Sequence, residues 1–193
     1  MVKRVIIVHG WGGSPHSDWY SWLKRELENR RFNVIMPQMP NTLSPTIKEW
    51  VGKLNSVVKN PDKDTYFIGH SIGCQAIMRY LEQLPEDVKI GGAIFVAGWF
   101  NLTENTWDVN YTKEVAEPWI NTPINFNKIK EHTLKFFNFQ SDNDLYVDIS
   151  NNQIFYDNLE SKIFILHNKG HLSEEDGVRA FPDLLNLVIQ ISK

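Results

Sequence analysis

Short unbroken apolar runs alternate along this chain with longer stretches in which apolar residues return every three or four positions. The runs fall at residues 3–8, 32–36, 65–68, 91–97, 134–139 and 162–166. Runs of that length without polar alternation predict strands covered on both faces, as in a parallel sheet. Between them, Trp19, Trp22, Leu23 and Leu27 share one side of a helix that Ser17 or Asp18 can cap and that ends near Arg31. Ile47, Trp50, Val51, Leu54 and Val58 mark a second helix, and Cys74, Ile77, Met78, Leu81 and Leu84 a third. Residues 149–159 predict a short helix. Pro182 stands at the first turn of a closing helix with Leu185, Val188 and Ile189 inward. Strands alternating with helices predict one three-layer α/β domain over residues 1–193, a mostly parallel central sheet with helices on both faces.

The rhythm fails at residues 98–131. Trp99, Phe100, Trp107, Trp119 and Phe126 are scattered there among Asn, Thr and Pro with no clean period. This segment is expected to be irregular and too short for a cap domain, leaving a shallow, partly exposed aromatic site.

Composition narrows the classes of function. With 193 residues and 42% hydrophobic content the chain can bury a sizeable core. A net charge of −3 with no basic run argues against nucleic-acid and membrane partners. The apolar core of the N-terminal stretch is too short for a secretory signal. The lone cysteine, Cys74, lies on the apolar side of its helix and is expected to be a core thiol. Without a disulfide partner it fits a reducing, cytoplasmic setting.

One stretch carries a chemical signature. Gly69-His70-Ser71-Ile72-Gly73 is Gly-x-Ser-x-Gly, lying between an apolar strand and an amphipathic helix. A serine held on a sharp strand-to-helix turn is strained and crowds the residues two positions away, which is where the pattern puts glycine. Ser71 is thus a candidate nucleophile. A serine hydroxyl needs a base, and the base a carboxylate to orient it. His171 follows the last strand and Asp144 the one before it, so that Ser71, Asp144 and His171 all lie just past carboxyl ends of strands, where sites collect in such sheets. Asp142 and Asp148 are close enough in sequence to compete for the acid's role. The oxyanion donors are expected to be the backbone N–H groups of Ile72 and of Trp11, in the Gly-rich loop after the first strand.

His9 and His70 read as structural histidines holding loops, and His132 and His167 as core or surface residues. No spacing of His, Cys, Asp or Glu suggests a metal site. The loop at residues 10–15 lacks the third glycine of a dinucleotide fingerprint and the Gly-Lys-Ser/Thr of a phosphate loop, so no cofactor is expected. Trp19, Trp22 and Trp50 have helical spacing and read as core. Trp11, Trp99, Trp107 and Trp119 lie outside the predicted helices, where pocket wall and plain packing are equally open.

His9-Gly10-Trp11, the elbow at residues 69–73, Asp144 and Gly170-His171 together resemble the α/β-hydrolase superfamily. Ser14-Pro15, Trp19 and Trp22-Leu23, with the absence of a long cap, resemble more narrowly the small serine hydrolases grouped with retinoblastoma-binding protein 9. The likeness departs from the usual pattern at Leu145, where proline normally follows the acid. It implies a Ser-Asp-His triad of Ser71, Asp144 and His171, and cleavage of a small ester, or an amide or thioester, through an acyl-enzyme. The pocket is assigned to Trp99, Trp107 and Trp119. Two alternatives stay open: a binding module in which hydrolysis is incidental and the aromatic segment meets a protein partner, and acyl transfer to an acceptor other than water.

Overall fold

The structure, a computed structural model, describes residues 2–107 and 110–193; residues 108 and 109 of the aromatic-rich segment lie outside that description. Six strands, β1 (Arg4–Val8), β2 (Asn33–Ile35), β3 (Thr65–His70), β4 (Gly92–Val96), β5 (Phe136–Ser141) and β6 (Lys162–Leu166), form one sheet in the order β2-β1-β3-β4-β5-β6. Every pairing is parallel. The helices are α1 (Tyr20–Glu28), α2 (Ile47–Val57), α3 (Ile72–Leu81), α4 (Asn110–Asn121), α5 (Phe126–His132), α6 (Asn151–Leu159) and α7 (Pro182–Ile191).

The apolar runs are strands because each supplies both cores. Val5 and Ile7 point to one side with Ile68, Ile94 and Val96, against α1 and α7. Ile6 and Val8 point to the other with Phe67, Ala93 and Phe95, against α2, α3 and α6. A strand that must satisfy two apolar layers cannot alternate with polar residues, and the sequence reads accordingly. Among the described residues no helix is long and apolar enough to cross a membrane.

Two expectations need correction. The first helix starts at Tyr20 with Trp19 at its cap, and neither Ser17 nor Asp18 closes it. Asp18 instead takes a left-handed backbone (φ 51°) and turns its carboxylate onto the Glu174 N–H, 2.7 Å away. The segment at 98–131 is also far from irregular. It holds a short 3₁₀ turn (Glu104–Trp107) and both α4 and α5. Val115, Ala116 and Trp119 give α4 a buried stripe, which Pro118 inside the helix masks to a reader of the sequence. The buried Arg79 of α3 secures the far end of α4, donating to the carbonyls of Trp119 (2.8 Å) and Thr122 (2.7 Å).

The strand order decides where chemistry can sit. The chain leaves β1 toward β2, then returns across β1 to β3, so the crossovers diverge between β1 and β3. Their carboxyl ends therefore leave a crevice between the loops after residues 8 and 70, as open α/β sheets do at a reversal of strand order.

Candidate active site

Ser71 stands alone between β3 and α3 with φ 53° and ψ −123°, a conformation that costs a non-glycine residue on the order of 1–3 kcal/mol. Its N–H is tied to the Val96 carbonyl of β4 at 2.8 Å, so the neighbouring strand holds the turn. The two flanking glycines are required by contact with backbone. A Cβ on Gly69 would lie 2.7 Å from Cys74 N, and one on Gly73 would lie 2.4 Å from the Val8 carbonyl of β1. The hydroxyl of Ser71 has no hydrogen-bond partner among the described residues, although the residue is only 9% exposed. The N–H groups of Ile72 and Trp11 likewise donate to nothing among the described residues.

Asp144 and His171 meet. His171 Nδ1 lies 2.8 Å from Asp144 Oδ2, while Asp144 Oδ1 accepts from the N–H groups of Tyr146 (2.9 Å) and Val147 (3.1 Å). A carboxylate can only accept here, so Nδ1 carries the proton and Nε2 is left as the free acceptor. The competing aspartates are otherwise engaged. Asp142 lies 2.5 Å from His167 Nδ1, and Asp148 caps the Ser150 N–H at 2.8 Å.

The two loops that carry the pair are laced residue by residue. Asp142 accepts from the Asn168 N–H, the Ser141 hydroxyl from Lys169, Asn143 Oδ1 from Gly170, all at 2.9 Å, and Asp144 takes His171. The backbone of His171 is gripped on both sides as well. Its N–H donates to Asp176 Oδ2 at 2.8 Å, and its carbonyl lies 2.9 Å from His70 Nε2. A carbonyl has no proton to give, so His70 donates from Nε2 and, being neutral, accepts the Tyr20 hydroxyl at Nδ1 (2.6 Å). Burial, reinforced by the neighbouring His171, lowers the His70 pKa from 6.5 to about 4. The same burial drives the Tyr20 pKa well above its ordinary value. His9 is structural too: Met39 N–H donates to its Nε2 (3.2 Å), its Nδ1 meets the Gly10 carbonyl (2.8 Å), and burial lowers its pKa.

Sequence reading gives Asp18 only a helix cap and does not find Tyr20 or Asp176. The available signal is the run Ser141-Asp142-Asn143-Asp144, four short polar side chains in a row past a strand end, which promises backbone capping of some neighbouring loop.

Ser71, His171 and Trp11 line one cleft of about 820 Å³. The assigned pocket residues divide. Trp99 lines it. Trp119 does not: its ring lies edge-on to Trp50 within the core, and its indole N–H reaches the Pro45 carbonyl at 3.0 Å. Trp107 ends the 3₁₀ turn and is also absent from the described lining. Leu102, Leu145 and Tyr146 complete the apolar wall. Among the described residues no three His, Cys, Asp or Glu side chains converge as metal ligands.

Known proteins resemble this chain over most of their length. The chain is 27% identical to YdeN of Bacillus subtilis over 182 residues, 94% of this chain and 92% of YdeN. It is 26% identical to the serine hydrolase RBBP9 of Rattus norvegicus, over 96% of this chain and 93% of that protein. The crystal structure of the B. subtilis ydeN gene product superposes with a TM-score of 0.89 over 98% of both chains. Est1E from Butyrivibrio proteoclasticus, at 15% identity and covering 98% and 88%, shares the fold with a TM-score of 0.70. The serine hydrolase family model matches residues 5–190, and the chain, an α/β-hydrolase by its sheet and elbow, belongs to that family.

Proposed function

We propose that the protein cleaves a small carboxylic ester, with amides and thioesters as slower or rarer substrates, through an acyl-enzyme on Ser71. The observation that carries this reading is the 2.8 Å pairing of His171 Nδ1 with Asp144, in a cleft that the unpartnered hydroxyl of Ser71 also lines. His171 Nε2 takes the hydroxyl proton as Ser71 Oγ attacks the carbonyl carbon. The oxyanion is met by the N–H groups of Trp11 and Ile72, each worth on the order of 2.7–4 kcal/mol in the transition state. Asp144 holds the imidazole in the correct tautomer and stabilises its protonated form. The tetrahedral intermediate then collapses, the ester C–O bond breaks, and the proton passes from Nε2 to the departing oxygen. Water repeats the sequence on the acyl-enzyme and frees the acid and Ser71. No step calls for a cofactor, and the solitary, buried Cys74 fits a reducing cytoplasm.

Labelling with a fluorophosphonate probe tests the reading. Wild type is expected to label at Ser71, with the signal lost in Ser71→Ala and His171→Ala. A folded wild type that fails to label refutes the hydrolase and favours a binding module instead. Product analysis with a model ester separates hydrolysis from transfer to another acceptor.

A further inference from the structure

Granted the hydrolytic role of Ser71 and His171, we propose that the cleft selects its substrate by the charge of the leaving group, taking esters, thioesters and amides whose departing alcohol, thiol or amine is cationic. Four carboxylates line the cleft, from Asp18, Glu174, Glu175 and Asp176, while no lysine or arginine does among its described lining residues. Their partners leave most of that charge standing. Asp18 and Asp176 accept from neutral N–H and hydroxyl donors, and the imidazole 3.7 Å from Asp18 is the neutral His70. Glu174 pairs with Arg179 at 3.2 Å on the exposed surface, and Glu175 makes no ion pair among the described residues. The ligand these charges would meet is marked independently by Ser71, whose nearly buried hydroxyl lines the same cleft without a partner.

The placement of the charge identifies the half of the substrate that feels it. His171 must hand its proton to the leaving oxygen or nitrogen, so that atom sits over Nε2 and its substituents lie beside the loop that carries the ring. Three of the four carboxylates belong to that loop, and Asp176 is hydrogen-bonded to the backbone of His171 itself. Asp18 is joined to the loop through the Glu174 N–H. The Tyr146 ring, 45% exposed and 5.5 Å from the His171 ring, adds an aromatic face to which a quaternary ammonium is attracted. The apolar side chains of Trp99 and Leu102 are left for the acyl group.

Three thioesters sharing one acyl group test this: S-butyrylthiocholine, its uncharged carbon isostere S-(3,3-dimethylbutyl) thiobutyrate, and S-(3-sulfopropyl) thiobutyrate, followed by thiol release. In wild type at low ionic strength kcat/KM is expected to favour the cation over the isostere roughly fivefold to tenfold and to rank the sulfonate last, the preference fading above about 0.5 M salt. Glu175→Gln lowers the cation-to-isostere ratio, and Glu174→Gln/Glu175→Gln lowers it further. A ratio of one or below in wild type overturns the proposal, as does a preference that neither salt nor these substitutions move. Equal turnover of all three by an enzyme that labels at Ser71 removes charge selection alone. No turnover together with no labelling removes the hydrolytic reading and this inference with it.

Discussion

Acid should weaken this fold through its buried histidines, His70 foremost. The ring is fully buried and faces the Tyr20 hydroxyl, the Asp18 carboxylate, and the His171 ring with Asp144 behind it. Its pKa falls from 6.5 to about 4 on folding because burial penalises the imidazolium, and the proximity of His171 adds to the penalty. Between those two values the unfolded chain binds a proton that the folded chain refuses, so stability is complete above about pH 6.5 and declines as pH falls toward 4. At 1.36 kcal/mol per pKa unit, the span from pH 7.5 to 4.5 removes about 2.5 kcal/mol, with a slope near 1.2 kcal/mol per pH unit in its middle. Urea denaturation followed by tryptophan fluorescence, stepped through that range, measures the slope. His9, whose pKa is also lowered by burial, contributes with the same sign, so the test is the difference between wild type and His70→Gln. Glutamine can donate to the His171 carbonyl and accept from Tyr20 but does not titrate. Its slope should be flatter by most of that 1.2 kcal/mol per unit. Identical slopes in the two proteins would refute the assignment of the neutral, donor role to His70.

Gly73→Ala should cost about 3 kcal/mol or leave no soluble protein, since the new methyl meets the backbone carbonyls of Val8 at 2.4 Å and His9 at 2.8 Å; yield and thermal denaturation report it. Asp144→Asn should keep the melting temperature near wild type while lowering kcat on a p-nitrophenyl ester by about 10³–10⁴-fold, because an amide facing Nδ1 favours the wrong tautomer. Arg79→Met strips donors from the carbonyls that close α4 and should destabilise the fold by about 2–3 kcal/mol, read by urea denaturation.

The parts of the fold that were legible in the sequence are those in which one residue type answers one local demand. Val5-Ile6-Ile7-Val8 has to feed two cores, and Gly69 and Gly73 have to clear backbone, so both declare themselves in a few letters. What stayed hidden depends on partners far along the chain. Trp119 reads as a pocket wall until its indole is seen to reach Pro45, 74 residues away. Asp18 looks like a helix cap because nothing nearby reveals that its carboxylate is taken by Glu174, 156 residues on. Helix α4 escaped because Pro118 and scattered aromatics conceal a buried stripe, and because the Arg79 that grips its last turn lies 40 residues back. Asp144 and Asp142 are alike on paper. They part company only when residues 141–144 are laid against 167–171, where each claims its own histidine.

That lacing also makes the site intolerant of changes in loop length. Because residues 141–144 on one side hold residues 168–171 on the other, deleting or inserting a single amino acid in either loop would break the set. His171 would then be parted from the carboxylate of Asp144, with the nucleophile and its strand untouched. Grafts that re-route this rim of the sheet must therefore carry both loops together, at their present lengths, or expect a well-folded protein without a competent base.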